Sequence, residues 1–252
     1  MSVGFQSYYA EGKVQISSES RAFSLIKSGQ LGDADFRSVD IPGTQRVSVA
    51  TVSVPDGFVY DSPLLFIRNK TDNGRVCCLP FSTGVSVLKW WNLSAGIGDI
   101  QYYLFARVAK APGNLGIQIF DGNGTAQSNL LFDSTWNILN IKKVVSIPKD
   151  KPPLLIGSDV NGTYTTSNAG LTSNHAYCIP SPRSVMIQTL TTEVRLFECT
   201  WVSGSEIKIN WIPQDGGDTA DMRRTAYTNV DSEGLILICD VANFPLNYSY
   251  NP

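Results

Sequence analysis

Histidine is almost missing: His175 is the only one in 252 residues. Any Ser-His-Asp or Cys-His nucleophilic apparatus would have to be built on it. Cys178 lies three residues away, and on a strand those two side chains point to opposite faces. Charge is also scarce, with Lys, Arg, Asp and Glu at 17% of the chain, against roughly 25% in ordinary soluble domains. Twenty basic and 22 acidic residues leave a net charge of −2. Lys142-Lys143 and Arg223-Arg224 are pairs and not a stripe, so the concentrated basic footprint that nucleic acid requires is missing and no such partner is expected. No apolar run reaches about 18 residues, so no membrane insertion is expected. The chain does not open on a basic start followed by an apolar stretch, so no secretory leader is expected. Helical patterning is nearly absent: the best candidate, Ser20 to Lys27, is short.

Cysteine is present but unpatterned. Cys77, Cys78, Cys178, Cys199 and Cys239 are odd in number, two are adjacent, and none forms a C-x-x-C pair. Free, mostly buried thiols in a reducing compartment are the simplest reading. Zinc would need Cys and His at ligand spacing, which is not seen. The Asp215 to Asp221 loop is rich in Gly and Asp but lacks a trailing bidentate Glu, and reads as an ordinary solvated loop. No metal and no cofactor are expected.

What the sequence has in abundance is strand grammar. Arg46 to Val54 alternates polar and apolar residues and stops at Pro55-Asp56-Gly57. Val85 to Trp90, Asp99 to Val108, Ser184 to Leu190, Val194 to Trp201 and Glu206 to Trp211 follow the same style. Val202 to Ser205 suits a hairpin connection. Gly234 to Val241 reads as a strand buried on both faces. Strands at this spacing, with Gly, Pro and Asn between them, indicate sandwiches or barrels. The expected fold is all-β, with two tandem β-sandwich-like domains that resemble each other.

That resemblance rests on a repeat. Gly4, Gln6, Gly12 and Gln15 recur 112 positions later as Gly116, Gln118, Gly124 and Gln127. After a four-residue insertion, Ile16-Ser17-Ser18 lines up with Phe132-Asp133-Ser134. A strand, a tight turn and a returning strand are implied in each copy, with Gly12 and Asn123-Gly124 supplying the turns. Pro112-Gly113-Asn114 marks the boundary, giving domains 1–111 and 112–252.

The second copy resembles a module of bacteriophage tail-tip proteins. In that family a G-[LI]-x-[VI]-[FY]-[ND]-x-x-G hairpin is followed by F-D-S and a β domain. Gly116 to Gly124 and Phe132-Asp133-Ser134 carry the likeness here. The first copy departs from it, with Ile16-Ser17-Ser18 in place of F-D-S. The resemblance implies a virion protein of the tail, assembled in the host cytoplasm. It would link the tail end to fibres or neighbouring tip proteins, as part of a symmetric homo-oligomer. An alternative is a receptor-binding module contacting host glycan or pilus, and a lesser one is a polysaccharide-degrading tail enzyme.

No catalytic residues are expected. Glycoside hydrolysis would need two carboxyls across a groove, and nothing singles out a pair among Glu193, Glu198 and Glu206. The polar loop holding Asn161, Tyr164 and Asn168 is the candidate binding surface. Trp91, adjacent to Trp90 and so on the opposite strand face, is a candidate interface residue. Tyr248 and Tyr250 belong to a C-terminal segment that is either a loose end or an arm docking on a neighbour.

Overall fold

The computed structural model describes residues 6–8, 14–17, 22–39, 47–55, 63–69, 76–81, 83–90, 100–107, 116–120, 130–147, 164–166, 169–188, 193–213, 224–228 and 233–250. Among these there is no α-helix, and a 3-10 turn at Asp33–Asp35 is the nearest thing to one. The protein is an all-β sandwich. One layer is a six-stranded sheet of β3 (Ser24–Leu31), β6 (Leu64–Asn69), β9 (Ile100–Ala106), β12 (Ile141–Ile147), β14 (His175–Cys178) and β19 (Gly234–Asp240). The other holds nine strands: β4 (Arg37–Val39), β5 (Val47–Ser53), β7 (Val76–Phe81), β8 (Gly84–Trp90), β13 (Tyr164–Thr166), β15 (Ser184–Gln188), β16 (Glu193–Ser203), β17 (Glu206–Pro213) and β18 (Arg224–Thr228). Two small hairpins stand apart, β1 (Gln6–Tyr8) with β2 (Val14–Ser17), and β10 (Gln118–Phe120) with β11 (Leu130–Asp133).

Side-chain alternation builds the core. Leu65, Ile67, Tyr102, Leu104, Tyr177, Ile236 and Ile238 point inward from the six-stranded sheet. Ala50, Val52, Val76, Val85, Val87, Ile207 and Ile209 meet them from the other layer. The residues between these point outward, as period 2 requires. Phe66, Tyr103, Phe105, Ala176, Cys178 and Cys239 form a second apolar cluster on the outer face of the six-stranded sheet, capped by Phe23, Leu139, Phe244 and Tyr248. Phe66 and Phe105 meet edge to face at 5.5 Å. The short helix candidate is in fact the start of β3. Leu25 and Ile26 are both fully buried, so this strand is apolar on both faces, and consecutive apolar residues do not distinguish such a strand from a buried helix.

Several strand pairings recur in the two halves of the chain. Across the six-stranded sheet, Lys27, Leu104 and Leu65 form one row of β3, β9 and β6. Lys143, Ile238 and Tyr177 form the matching row of β12, β19 and β14. A bulge follows in both, between Leu25 and Lys27 and between Ile141 and Lys143. In the other layer β7 and β8 turn between Phe81 and Gly84, and β16 and β17 turn between Ser203 and Glu206. Gly204 at φ +60 supplies the left-handed step of the second turn.

Both sheets run through from one half to the other. Tyr177 lies opposite Ile67 where β14 meets β6, and Thr200 opposite Val76 where β16 meets β7. Antiparallel pairing then sets Cys178 against Phe66 and Cys199 against Cys77. Each is set against its own counterpart. A third contact obeys the same rule: Leu139 N–H donates to Phe23 O at 2.9 Å, flanked by a bridge between Ser24 and Ile138. Counterpart meeting counterpart is the signature of a twofold relation. The halves are therefore joined side by side through both layers and share one core.

A buried ion pair lies beside the seam. Arg183 Nε donates to Glu198 Oε1 at 2.7 Å, its Nη2 donates to the same oxygen, and its backbone N–H donates to Oε2 at 3.0 Å. Both side chains are almost wholly removed from solvent. Breaking such a pair leaves a buried uncompensated charge, so Glu198→Ala is expected to destabilise the fold by about 3–5 kcal/mol, read from chemical denaturation.

All five thiols are free. Burial pushes the thiols of Cys77, Cys178 and Cys239 well up, and that of Cys78 up to about 12 from 9.0. These groups ionise in the unfolded chain before they do so in the folded one. Above pH 9 the unfolded state binds fewer protons, so stability falls as pH rises, by roughly 1.4 kcal/mol per pH unit for each fully buried thiol. Urea midpoints are expected to be level from pH 7 to about 8.5 and to drop steeply by pH 10.5. A midpoint unchanged over that range would mean the thiols reach solvent.

Candidate functional site

The two small hairpins are the same object. Gln6 faces Ser17, Ser7 faces Ile16 and Tyr8 faces Val14, with a bulge between Ser7 and Tyr8. Gln118 faces Asp133, Ile119 faces Phe132 and Phe120 faces Leu130, with a bulge between Ile119 and Phe120. Register and bulge coincide as the repeat predicts where Gln6, Ser7, Ile16 and Ser17 match Gln118, Ile119, Phe132 and Asp133. Val14, however, matches Leu130, so the four-residue insertion falls before Val14 and Gln15 stands level with Leu131, not Gln127.

The second hairpin shows why its motif has the residues it has. Asp133 is fully buried. Its Oδ1 accepts from Thr135 N at 2.8 Å and Thr135 Oγ1 at 2.6 Å, and its Oδ2 accepts from Gln118 Nε2 at 2.9 Å. Ser134 Oγ accepts from Ile117 N at 2.9 Å. Gly116 precedes that donor at φ +127, and a Cβ there would stand 2.1 Å from Ser134 Oγ. Gly116 and Ser134 are thus one device, since the hydroxyl occupies the space a side chain would need.

Beyond this hairpin the chain opens a cleft of about 390 Å³ lined by Phe132, Ser134, Trp136, Asn137, Ile138, Asn140, Asp240, Asn243 and Phe244. The hairpin supplies one wall, the entry to β12 another, and the turn after β19 the third. Asp240 Oδ1 accepts from Ala242 N at 3.0 Å, fixing the turn. Lys142 Nζ stands 4.0 Å from Asp240 Oδ2. Three amide-bearing residues, a hydroxyl, one carboxylate and three aromatic rings therefore surround one space. Sequence reasoning missed it, because Asp240 and Asn243 lie about a hundred residues from Trp136 and Asn140. Only the pairing of β12 with β19 brings them together.

The sites expected from sequence fall elsewhere. Asn161, Asn168 and Trp91 lie outside the described residues, as does the Asp215 to Asp221 loop. Tyr164 begins β13 and pairs with Ile209 of β17. The C-terminal segment docks on its own chain. Tyr248 O accepts from Ser28 N at 2.8 Å, and Tyr250 N donates to Ile26 O at 2.8 Å, closing the edge of β3. Tyr248 also packs against the outer apolar cluster. His175 begins β14, where its Nδ1 accepts from Thr172 N at 3.1 Å. Glu198, weighed as a catalytic carboxylate, is held by Arg183 inside the protein.

No family model, curated protein or solved structure matches this chain.

Two substitutions test the hairpin device. Gly116→Ala is expected to cost about 2 kcal/mol from strain and contact together. Asp133→Ala, which removes a buried carboxylate and the acceptor of three hydrogen bonds, is expected to cost about 1–3 kcal/mol. Thermal denaturation of each variant checks both values; a wild-type melting point in either would show that the hairpin is only loosely attached.

Proposed function

We propose that the protein is a structural component of a bacteriophage tail tip, built from a duplicated β half and working through protein–protein contacts. The observation that carries this reading is the hairpin of Gly116 to Ser134, the element that resembles the tail-tip module. Its Gly116 and Ser134 fit together, its Asp133 holds Gln118 and Thr135, and its register and bulge recur in the first half. Descent of the two halves from one ancestral unit explains the shared rows, bulges and seams more simply than coincidence.

The surface suits such a role. Ile117, on the hairpin, is 68% exposed. Val144 on β12 and Leu235 on β19 are 42% and 44% exposed, and the register makes them diagonal neighbours on one face. Exposed apolar groups on a chain this poor in charge fit contacts with neighbouring virion proteins and further copies of itself. A receptor-binding role is the second reading, favoured by the polar and aromatic cleft beside the hairpin. Glycoside hydrolysis gains less, since Asp240 is the single carboxylate among the described residues lining that cleft.

Immunogold electron microscopy with antibodies to this chain tests the proposal. Label confined to the distal end of the tail is the expected result. Purified particles that lack the chain would overturn it.

A further inference from the structure

We infer that the cleft between the second hairpin and the end of β19 is a binding site for an uncharged saccharide unit. The inference does not rest on the tail-tip reading, since the cleft would bind its ligand wherever the protein resides.

The comparison between halves points to it. In the first half, Ser24 of β3 lies opposite Ala106 of β9, and both are fully buried. The corresponding residues of the second half are Asn140 and Asp240, joined by a backbone hydrogen bond of 3.3 Å. Where one half packs two small residues out of reach of solvent, the other presents an amide and a carboxylate to an open cleft. The same backbone framework thus carries a polar site in one copy and a closed core in the other. Asp240 Oδ1 also fixes the turn after β19 through Ala242 N–H, but the first half closes this point with Ser24 and Ala106, so the polar lining is particular to the open cleft.

The lining chemistry selects the ligand class. A pyranose ring has hydroxyls at its rim and apolar C–H faces, so it needs donors and acceptors around its edge and an aromatic wall beside it. Asn137, Asn140 and Asn243 bear groups that both donate and accept, and Asp240 is a strong acceptor. Phe132, Trp136 and Phe244 supply the aromatic walls. The volume lies within the roughly 300–1,000 Å³ typical of small-molecule sites. Phosphate and other anions are disfavoured, because the described lining residues include a carboxylate and no Arg or Lys, and the nearby Lys142 ammonium lies against that carboxylate. A bare cation is disfavoured by the Lys142 ammonium near that carboxylate. An uncharged polyhydroxylated ring matches this mixture of donors, acceptors and aromatic walls.

Saturation-transfer-difference NMR on the full chain tests this, using glucose, galactose, N-acetylglucosamine, rhamnose and their disaccharides as probes. Transfer to the ring protons of at least one probe is expected. It should weaken about tenfold or more in Asn243→Ala and in Asp240→Asn. Both substitutions preserve the fold: Asn243 is an exposed turn residue, and Asn at 240 keeps an acceptor for Ala242 N–H. Equal melting points for the two variants and the parent protein confirm that the effect is local. Binding should hold between about 50 and 500 mM NaCl, since no charge is recognised on the ligand. Absence of transfer from every probe, transfer unchanged in both variants, or binding that collapses with salt would each overturn the inference.

Discussion

Antiparallel pairing of a strand with its own counterpart is the constraint on which the rest of this molecule depends. β6 meets β14 at Ile67 opposite Tyr177 and β7 meets β16 at Val76 opposite Thr200, registers that bring Phe66 beside Cys178 and Cys77 beside Cys199, and Phe23 meets Leu139 in the covering segment. Each of these contacts closes a sheet edge that would otherwise present unpaired backbone groups to solvent. Together they merge what would be two thin sandwiches into one thicker core. A half with three strands in one layer would bury little apolar surface alone, and small units are marginal for that reason. Joined at the seams, Leu65, Ile67, Val76 and Tyr177 pack in one cluster drawn from both halves.

The seam also accounts for the unusual residues near it. Arg183 and Glu198 are removed from water together, and their mutual hydrogen bonds make that tolerable. The thiols at Cys77 and Cys199 fit where two strands lie directly opposite, since cysteine is small and packs as a hydrophobe. Away from the seam the halves are free to diverge. The C-terminal segment closes the edge of β3, and where one half packs Ser24 against Ala106 the other opens the Asn140-Asp240 cleft. Common framework and local divergence together place a polar site on a scaffold that the shared core keeps rigid.

Much of this was legible in the amino-acid order. Half-buried strands such as Val47–Ser53 and Glu206–Pro213 show their alternation directly, and the Gln6–Gln118 identity with the Ile16-Ser17 to Phe132-Asp133 match located the pairing of both hairpins, whereas the Gln15–Gln127 match did not hold. Strands buried on both faces were harder. Ser24–Leu31 lacks alternation because Leu25 and Ile26 both pack against apolar neighbours, so its length and type were ambiguous. The seams left no local trace, because their pairing depends on residues more than a hundred positions apart. The cleft was hidden for the same reason. Asp240 ends a strand that reads as core, and nothing near it in sequence marks it as part of a site. Tyr248 and Tyr250 were visible as a segment outside the strand pattern, but the edge they close was not.

The most direct test of the shared seam is native-state hydrogen exchange, resolved by residue, across rising denaturant. Backbone amides of β6, β7, β14 and β16 should then open with the same free energy and the same denaturant dependence as those of β9 and β19, as one cooperative unit. If residues 1–111 and 112–252 opened as two units of different stability, with the seam amides exchanging before either, the account of one core joined through both layers would be contradicted.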